Sequence, residues 1–207
     1  MRVRDGLSLC PNLRVLLPDP GKYRFVNCQL LALLGEYTAE VEVCSIDEMV
    51  FNLDGTPAIE RRWQRGESVT AAMRQLGEEI KRRIKAEIGD WLTVSVGFAP
   101  NRYLAKTASG LHKPDGLEGI TAANIEAVLA PLAVEELWGI KQGYGGRLRR
   151  FGINTALDLY RSPIALLNRA LASIVGRHWW MRLHGWEADP SALRQLADRS
   201  GQVTKSI

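Results

Sequence analysis

Asp47 and Glu48 are adjacent acids inside "VCSIDEMVFNLDG", residues 43–55, set between two short runs of apolar, strand-forming residues. Many such pairs are only solvated turn residues. The same pair can also hold a hard divalent cation, whose preferred ligands are oxygens. That use requires a bend, because successive side chains of a regular strand point to opposite faces. Val41 and Val43 alternate with Glu40 and Glu42, and Met49, Phe51 and Leu53 alternate with Glu48, Asn52 and Asp54. Two period-two strands are expected to flank Ser45-Ile46-Asp47, with the acids at their junction.

A second group of residues lies in "PNRYLAKTASGLHKPDG", residues 100–116. With Asn101 as the cap of a helix, Arg102, Lys106 and Ser109 fall on one face while Leu104, Ala108 and Leu111 face a core. Pro114 disfavours helical geometry in the residue before it, so Lys113 is expected on the exit turn. The segment reads either as an ordinary surface helix or as a cationic grip for phosphate. A third group is "LWGIKQGYGGRLRRFGI", residues 137–153. It has the pattern of a helix-hairpin-helix, with a turn at Gly139-Ile140, small residues at Gly145 and Gly146, and Leu148 as the packing residue. Such a turn offers backbone N–H groups at a helix N-terminus to a phosphate, without regard to base identity. Lys141, Arg147, Arg149 and Arg150 add positive charge there. From Lys141 to Arg182 there are eight basic residues and one acid, Asp158, which is either a solvated helical face or the footprint of a polyanion binder.

The elements that must position these groups follow from periodicity. The start of the chain reads as the end of a helix, a turn at Cys10-Pro11-Asn12 and a strand from Leu13 to Leu17. A helix ending near Gly35 follows a Pro/Gly break. Val69, Met73, Leu76, Ile80, Ile84 and Ile88 recur every three or four residues and predict an amphipathic helix. Leu92 to Phe98 alternates and predicts a third strand ending at Pro100. After about residue 120 only short helical segments are expected, broken at Pro131, Gly139, Gly152, Pro163 and Gly185. The fold class expected is α+β: a sheet packed on helices, followed by a small all-helical part. Residues 191–197 could add a short helix within a polar tail.

Composition agrees with a soluble protein, with 46% hydrophobic and 24% charged residues and a net charge of +4. No apolar run approaches the roughly 18 residues that suggest a membrane span, and no signal peptide is visible, so an intracellular protein is expected. Cys10, Cys28 and Cys44 fit neither a disulfide framework nor a zinc site and read as reduced, mostly buried thiols. His112, His178 and His184 have no metal-ligand spacing. Any metal is expected to be held by oxygen.

Taken together, these segments resemble those of a known family. "CSIDE", "SVGFAPNRYLAKTASGLHKPDGL" and "LWGIKQGYGGRLRRFGINTALDL" occur in the order and at the separations seen in the Y-family translesion DNA polymerases. "LCPNLRVLLPDPGKYR" resembles the stretch leading into their palm, and "TKSI" resembles the start of their little finger. The resemblance implies a palm with a mixed or antiparallel sheet and a helical thumb. It divides the chain into a fingers remnant (1–18), a partial palm (19–120), a thumb (121–188) and a linker toward a little finger (189–207). Asp47 and Glu48 are then catalytic, metal-binding carboxylates for two Mg²⁺ ions, Asp47 bridging both and Glu48 holding the one at the primer 3′-hydroxyl. Lys113, Lys106 and Arg102 are triphosphate-binding, and Gly139, Ile140, Lys141, Arg147, Arg149 and Arg150 contact DNA. Lys141 stands where the family has a second turn glycine.

Primer-template DNA and deoxynucleoside triphosphates are the implied partners, with a sliding clamp engaged through regions outside this chain. The implied setting is the bacterial cytoplasm, at the nucleoid, in DNA repair and the SOS response, with no membrane. The family's first catalytic strand, with a further metal-binding aspartate, is expected before Met1. Two function classes therefore stand: an error-prone DNA-directed DNA polymerase of which this chain alone is inactive, and a non-catalytic polymerase-like protein that binds DNA.

Overall fold

The computed structural model describes residues 2–187, the side chain of Trp63 excepted. The linker expected at 189–207, with its possible short helix, lies outside the described residues. Contacts divide the chain into two compact units, Met1–Thr56 and Pro57–Ile207.

In the first unit, helix α1 (Val3–Leu9) precedes helix α2 (Pro20–Gly35). α2 starts where the sequence allows it: Pro20 occupies its first turn, and the Asp19 carboxylate accepts from the N–H groups of Gly21 and Lys22 at 3.1 and 3.2 Å. Strands β1 (Val41–Val43) and β2 (Met49–Phe51) pair antiparallel, with Val41 opposite Phe51 and Val43 opposite Met49. α2 packs on β1, and Leu33, Leu34 and Leu53 are the buried apolar residues of the unit. Two expectations fail here. Leu13–Leu17 is not a strand, and Leu16 and Leu17 are exposed. A strand needs a partner for its N–H and C=O groups, and no strand of the described residues pairs with this stretch. Cys10, Cys28 and Cys44 are all exposed rather than buried, because Cys28 lies on an uncovered face of α2 and Cys44 lies in the β1–β2 turn.

The second unit begins with α3 (Pro57–Gln64), which the sequence reading did not anticipate, and α4 (Val69–Glu87). Ser68 caps α4 by accepting from the Ala71 N–H at 3.2 Å, and Leu76, Ile80 and Ile84 form its buried stripe. Strand β3 (Val96–Phe98), helix α5 (Arg102–Leu111) and strand β4 (Leu117–Gly119) make a β-α-β crossover with the strands parallel. The third strand is therefore shorter than its alternation suggested, and β4 was not expected at all. Close packing sets this geometry: a Cβ on Gly97 would stand 2.0 Å from the Ala105 carbonyl, and one on Gly77 2.5 Å from a Leu117 methyl.

The remainder is helical, with α6 (Ile125–Leu129), a 3-10 turn (Val134–Glu136), α7 (Gln142–Arg149), α8 (Ala156–Arg161), α9 (Ile164–Leu171) and α10 (Val175–Leu183). The breaks fall at the expected prolines and glycines. One buried core joins Tyr103, Leu104 and Ile120 to Leu129, Leu148, Leu159, Leu167 and Leu183, so α5 shares its interior with the helices after it. Among the described residues no helix is long and apolar enough to cross a membrane.

Candidate functional site

Asp47 and Glu48 occupy the turn that joins β1 to β2, on a bend over residues 45–47. The bend is made locally. The Glu48 carbonyl accepts from two successive N–H groups, Cys44 at 2.9 Å and Ser45 at 3.1 Å, which closes the hairpin one residue out of a regular ladder. The Ser45 hydroxyl donates to Asp47 Oδ1 at 2.5 Å and fixes the carboxylate against its own turn. From α2, the Asn27 amide donates to the Ile46 carbonyl at 3.0 Å and lies 3.5 Å from that of Ser45. Asp47 is exposed and Glu48 half-buried. The donor set is oxygen alone, which suits a hard cation such as Mg²⁺. Among the described residues no three His, Cys, Asp or Glu side chains group closely enough to hold a metal ion, so this turn offers part of a ligand shell.

In the second unit, Asn101 begins α5. Its side-chain carbonyl accepts from the Leu104 N–H at 2.8 Å, and its amide donates to the carbonyls of Arg182 and Trp186 at 2.7 and 2.9 Å. It is 4% exposed, so one residue caps α5 and ties it to the end of α10. Arg102 is engaged by Glu187, through its N–H at 2.7 Å and its guanidinium at 3.3 Å. Lys106 lies over the Trp138 ring, 5.4 Å from its centroid, a cation-π arrangement. Tyr103, next to them in the core, donates its hydroxyl to the Trp138 carbonyl at 3.0 Å; burial raises its pKa well above the usual phenol value. These contacts join the basic face of α5 to the 137–153 segment. Neither Trp138 nor Tyr103 follows from the spacing of the charged residues; for Trp138 the signal is an aromatic residue directly before the turn glycine Gly139. Lys113 is exposed on the exit turn, as Pro114 required.

The 137–153 segment turns at Gly139, whose φ of +88° is a left-handed conformation open to glycine. Ile140 is buried, and Lys141 is the exposed residue that precedes α7, with its carbonyl accepting from the Gly145 N–H at 2.9 Å. The arm before the turn is a single 3-10 turn rather than a full helix. A Cβ on Gly145 would stand 2.0 Å from the Glu135 carboxylate; that glycine lets the carboxylate reach Arg149, at 2.6 Å. Arg161 is likewise paired, with Glu126 at 2.5 Å, which lowers the Glu126 pKa. Arg147 faces the Tyr144 ring at 5.8 Å, and Arg150 is exposed. Two arginines of the basic cluster are thus matched by acids that precede it in the sequence.

Comparison with known proteins accords with this arrangement. The model of the impB/mucB/samB family matches residues 1–110. The chain belongs to that family. Its relatives place it among the Y-family DNA polymerases. It is 34% identical over 190 residues to DNA polymerase IV of Pseudomonas paraeruginosa, covering 92% of this chain and 51% of the relative. It is 39% identical over 165 residues to DNA polymerase IV of Alkalilimnicola ehrlichii, covering 80% and 43%. The chain spans about half the length of the curated relatives it matches. Among solved structures, DinB from Sulfolobus solfataricus superposes with a TM-score of 0.73 at 22% identity, over 91% of this chain and 52% of that one. The insertion ternary complex of Dbh DNA polymerase gives 0.73 at 23% identity, over 92% and 52%. At that identity the likeness speaks for the fold, and it extends the match beyond the residues of the family model into the helical part.

Proposed function

We propose that this chain supplies palm and thumb functions to template-directed nucleotidyl transfer in translesion synthesis. Asp47 and Glu48 act at the reacting end, Lys113 with Lys106 and Arg102 at the triphosphate, and the turn at Gly139, Ile140 and Lys141 with Arg147, Arg149 and Arg150 at the DNA backbone. The observation that carries this reading is the β1–β2 turn: two adjacent acids on a bend braced by Ser45 and Asn27, in a chain of this family. Support for the substrates comes from relatives named DNA polymerase IV and from a neighbour in an insertion ternary complex. Two Mg²⁺ ions, when bound, would activate the primer 3′-hydroxyl and stabilise the leaving pyrophosphate. Asp47 and Glu48 are the residues that would hold them, with Glu48 at the hydroxyl. What the chain itself does is fix the Asp47 carboxylate by the Ser45 hydrogen bond and keep cationic side chains for phosphates. The division into a fingers remnant, palm, thumb and linker belongs to the same reading. So do a sliding clamp as partner and a place at the bacterial nucleoid, both supported by the family alone.

The 207-residue chain by itself is expected not to extend a primer, because a two-metal site needs enough anionic ligands to hold two cations about 3.5–4 Å apart against their repulsion, and this turn carries two. A primer-extension assay on the purified chain, with Asp47→Ala to expose contaminating polymerases, decides the point. Extension abolished by Asp47→Ala would show that a further acid of this chain completes the site. Extension that survives the substitution would be contamination.

A further inference from the structure

Asp115 stands two residues after Lys113, where an acid would be expected to offset the charge of an anion-binding lysine. Its surroundings direct it elsewhere. Lys81 and Lys85, one turn apart on α4, both reach it: Lys85 Nζ donates to Asp115 Oδ2 at 2.9 Å, and Lys81 Nζ stands 3.2 Å from Oδ1. Lys81 also donates to the Asp115 backbone carbonyl and lies 3.4 Å from that of Gly116. Two like charges four apart on a helix repel, and the shared carboxylate offsets that repulsion. The carboxyl of Asp115 is held below its ordinary value, first by Lys85 and then by Lys81.

The turn is fastened from other sides as well. The Gly116 N–H donates to the Ser95 hydroxyl at 3.3 Å, and its carbonyl accepts from the Val96 N–H at 3.0 Å. A Cβ at Gly116 would stand 2.2 Å from the His112 carbonyl. Asp115 keeps a φ of +63°, a left-handed conformation costly for a non-glycine residue and sustained only where surroundings dictate it. Lys113 makes no ion pair with the described residues and is exposed. Counting Lys81, Lys85, Lys113 and Asp115 together, the turn keeps an excess of positive charge.

We propose that Lys81 and Lys85, acting through Asp115, are positioning residues for Lys113: they take up the acid of the turn and fix its backbone so that the Lys113 ammonium is left to meet a polyphosphate. This rests on the reading of Lys113 as a triphosphate contact.

The test is a titration of the full chain with inorganic tripolyphosphate, followed by NMR at the backbone amides of residues 112–116, in which the wild type shows a saturable shift. Lys85→Met, a half-exposed site whose contact is with the Asp115 carboxylate, weakens binding about threefold, and Lys81→Met about three- to tenfold. Lys81→Arg restores affinity to within about twofold, because a guanidinium can serve the same oxygens. Affinity for duplex DNA stays unchanged in all three variants, which separates positioning from general loss of fold. If Lys113→Ala leaves tripolyphosphate binding unaltered, the triphosphate reading falls and the inference falls with it. If Lys113→Ala weakens binding while both methionine variants bind as the wild type does, the reading survives and the inference alone is overturned.

Discussion

Asn27 donates to main-chain carbonyls eighteen and nineteen residues further on, and nothing in the spacing around Asp47 hints at it. Its amide does for the acidic turn what a ladder hydrogen bond does for a strand: it satisfies carbonyls that the bend at residues 45–47 takes out of register. A side-chain to main-chain bond of this kind contributes about 0.5–1.5 kcal/mol. Asn27→Ala should therefore leave α2 and the strands in place while loosening the turn. The measurement is hydrogen exchange at the Cys44 and Ser45 amides, both bonded to the Glu48 carbonyl; exchange is expected to quicken about tenfold. Unchanged rates would mean that the Ser45-Asp47 bond alone sets the bend.

At the scale of elements, short helices here depend on their ends. α8 has six residues, too few to persist unaided. Thr155 caps it by accepting from the Asp158 N–H at 3.0 Å, while the Asp158 carboxylate accepts from the N–H groups of Thr155 and Asn154 at 2.8 and 3.0 Å. This reciprocal arrangement lowers the Asp158 pKa, the Thr155 N–H contributing most. The folded value lies below the unfolded one, so the linked stability is complete above the unfolded pKa of about 3.9 and is lost as pH falls through the folded value. Thr155→Ala should cost about 1 kcal/mol in urea unfolding at pH 7. Asp158→Asn should also be less stable than the wild type at pH 7, and the gap should narrow as the pH is lowered toward 3. A gap that stays constant with pH would show that the charge of Asp158 contributes nothing.

Over the whole molecule, charge distribution decides more than the net +4. Arg149 and Arg161 are matched by Glu135 and Glu126, and Arg169 and Arg182 lie over Phe151 and Tyr103. On the function proposed above, the exposed Lys141, Arg147 and Arg150, at and beside α7, are the charges offered to DNA phosphates. Binding to duplex DNA should show little sequence preference and weaken steeply as salt rises, through counterion release. Arg147→Glu with Arg150→Glu should weaken binding to every sequence alike and lower the steepness of the salt dependence by about 1 per lost phosphate contact. An affinity and salt slope equal to the wild type's would move the DNA contact away from α7.

Some features were legible in the residues because a local cause dictates them. α4 follows from its apolar period, α5 from Asn101, the exposed turn at Lys113 from Pro114, and the acidic hairpin from alternation on either side of Asp47. The helical breaks after residue 120 follow from prolines and glycines. Other features depend on partners distant in the sequence. β4 has three residues, too few for any alternation to register, and exists because Val96–Phe98 lies beside it. Leu13–Leu17 has the composition of a strand and no such partner. Cys28 was expected inside because of its type, yet burial is a property of what covers a helix face. The basic run from Lys141 to Arg182 counted one acid nearby, but Glu126 and Glu135 reach it by folding back. The sequence by itself determined the residue types, their periods and their caps, since these act within a few residues. Which strand pairs, which arginine is neutralised, that Asn27 braces the acidic turn and that two α4 lysines hold Asp115 were decided by tertiary structure, because each depends on groups that only the folded chain brings within reach of a hydrogen bond.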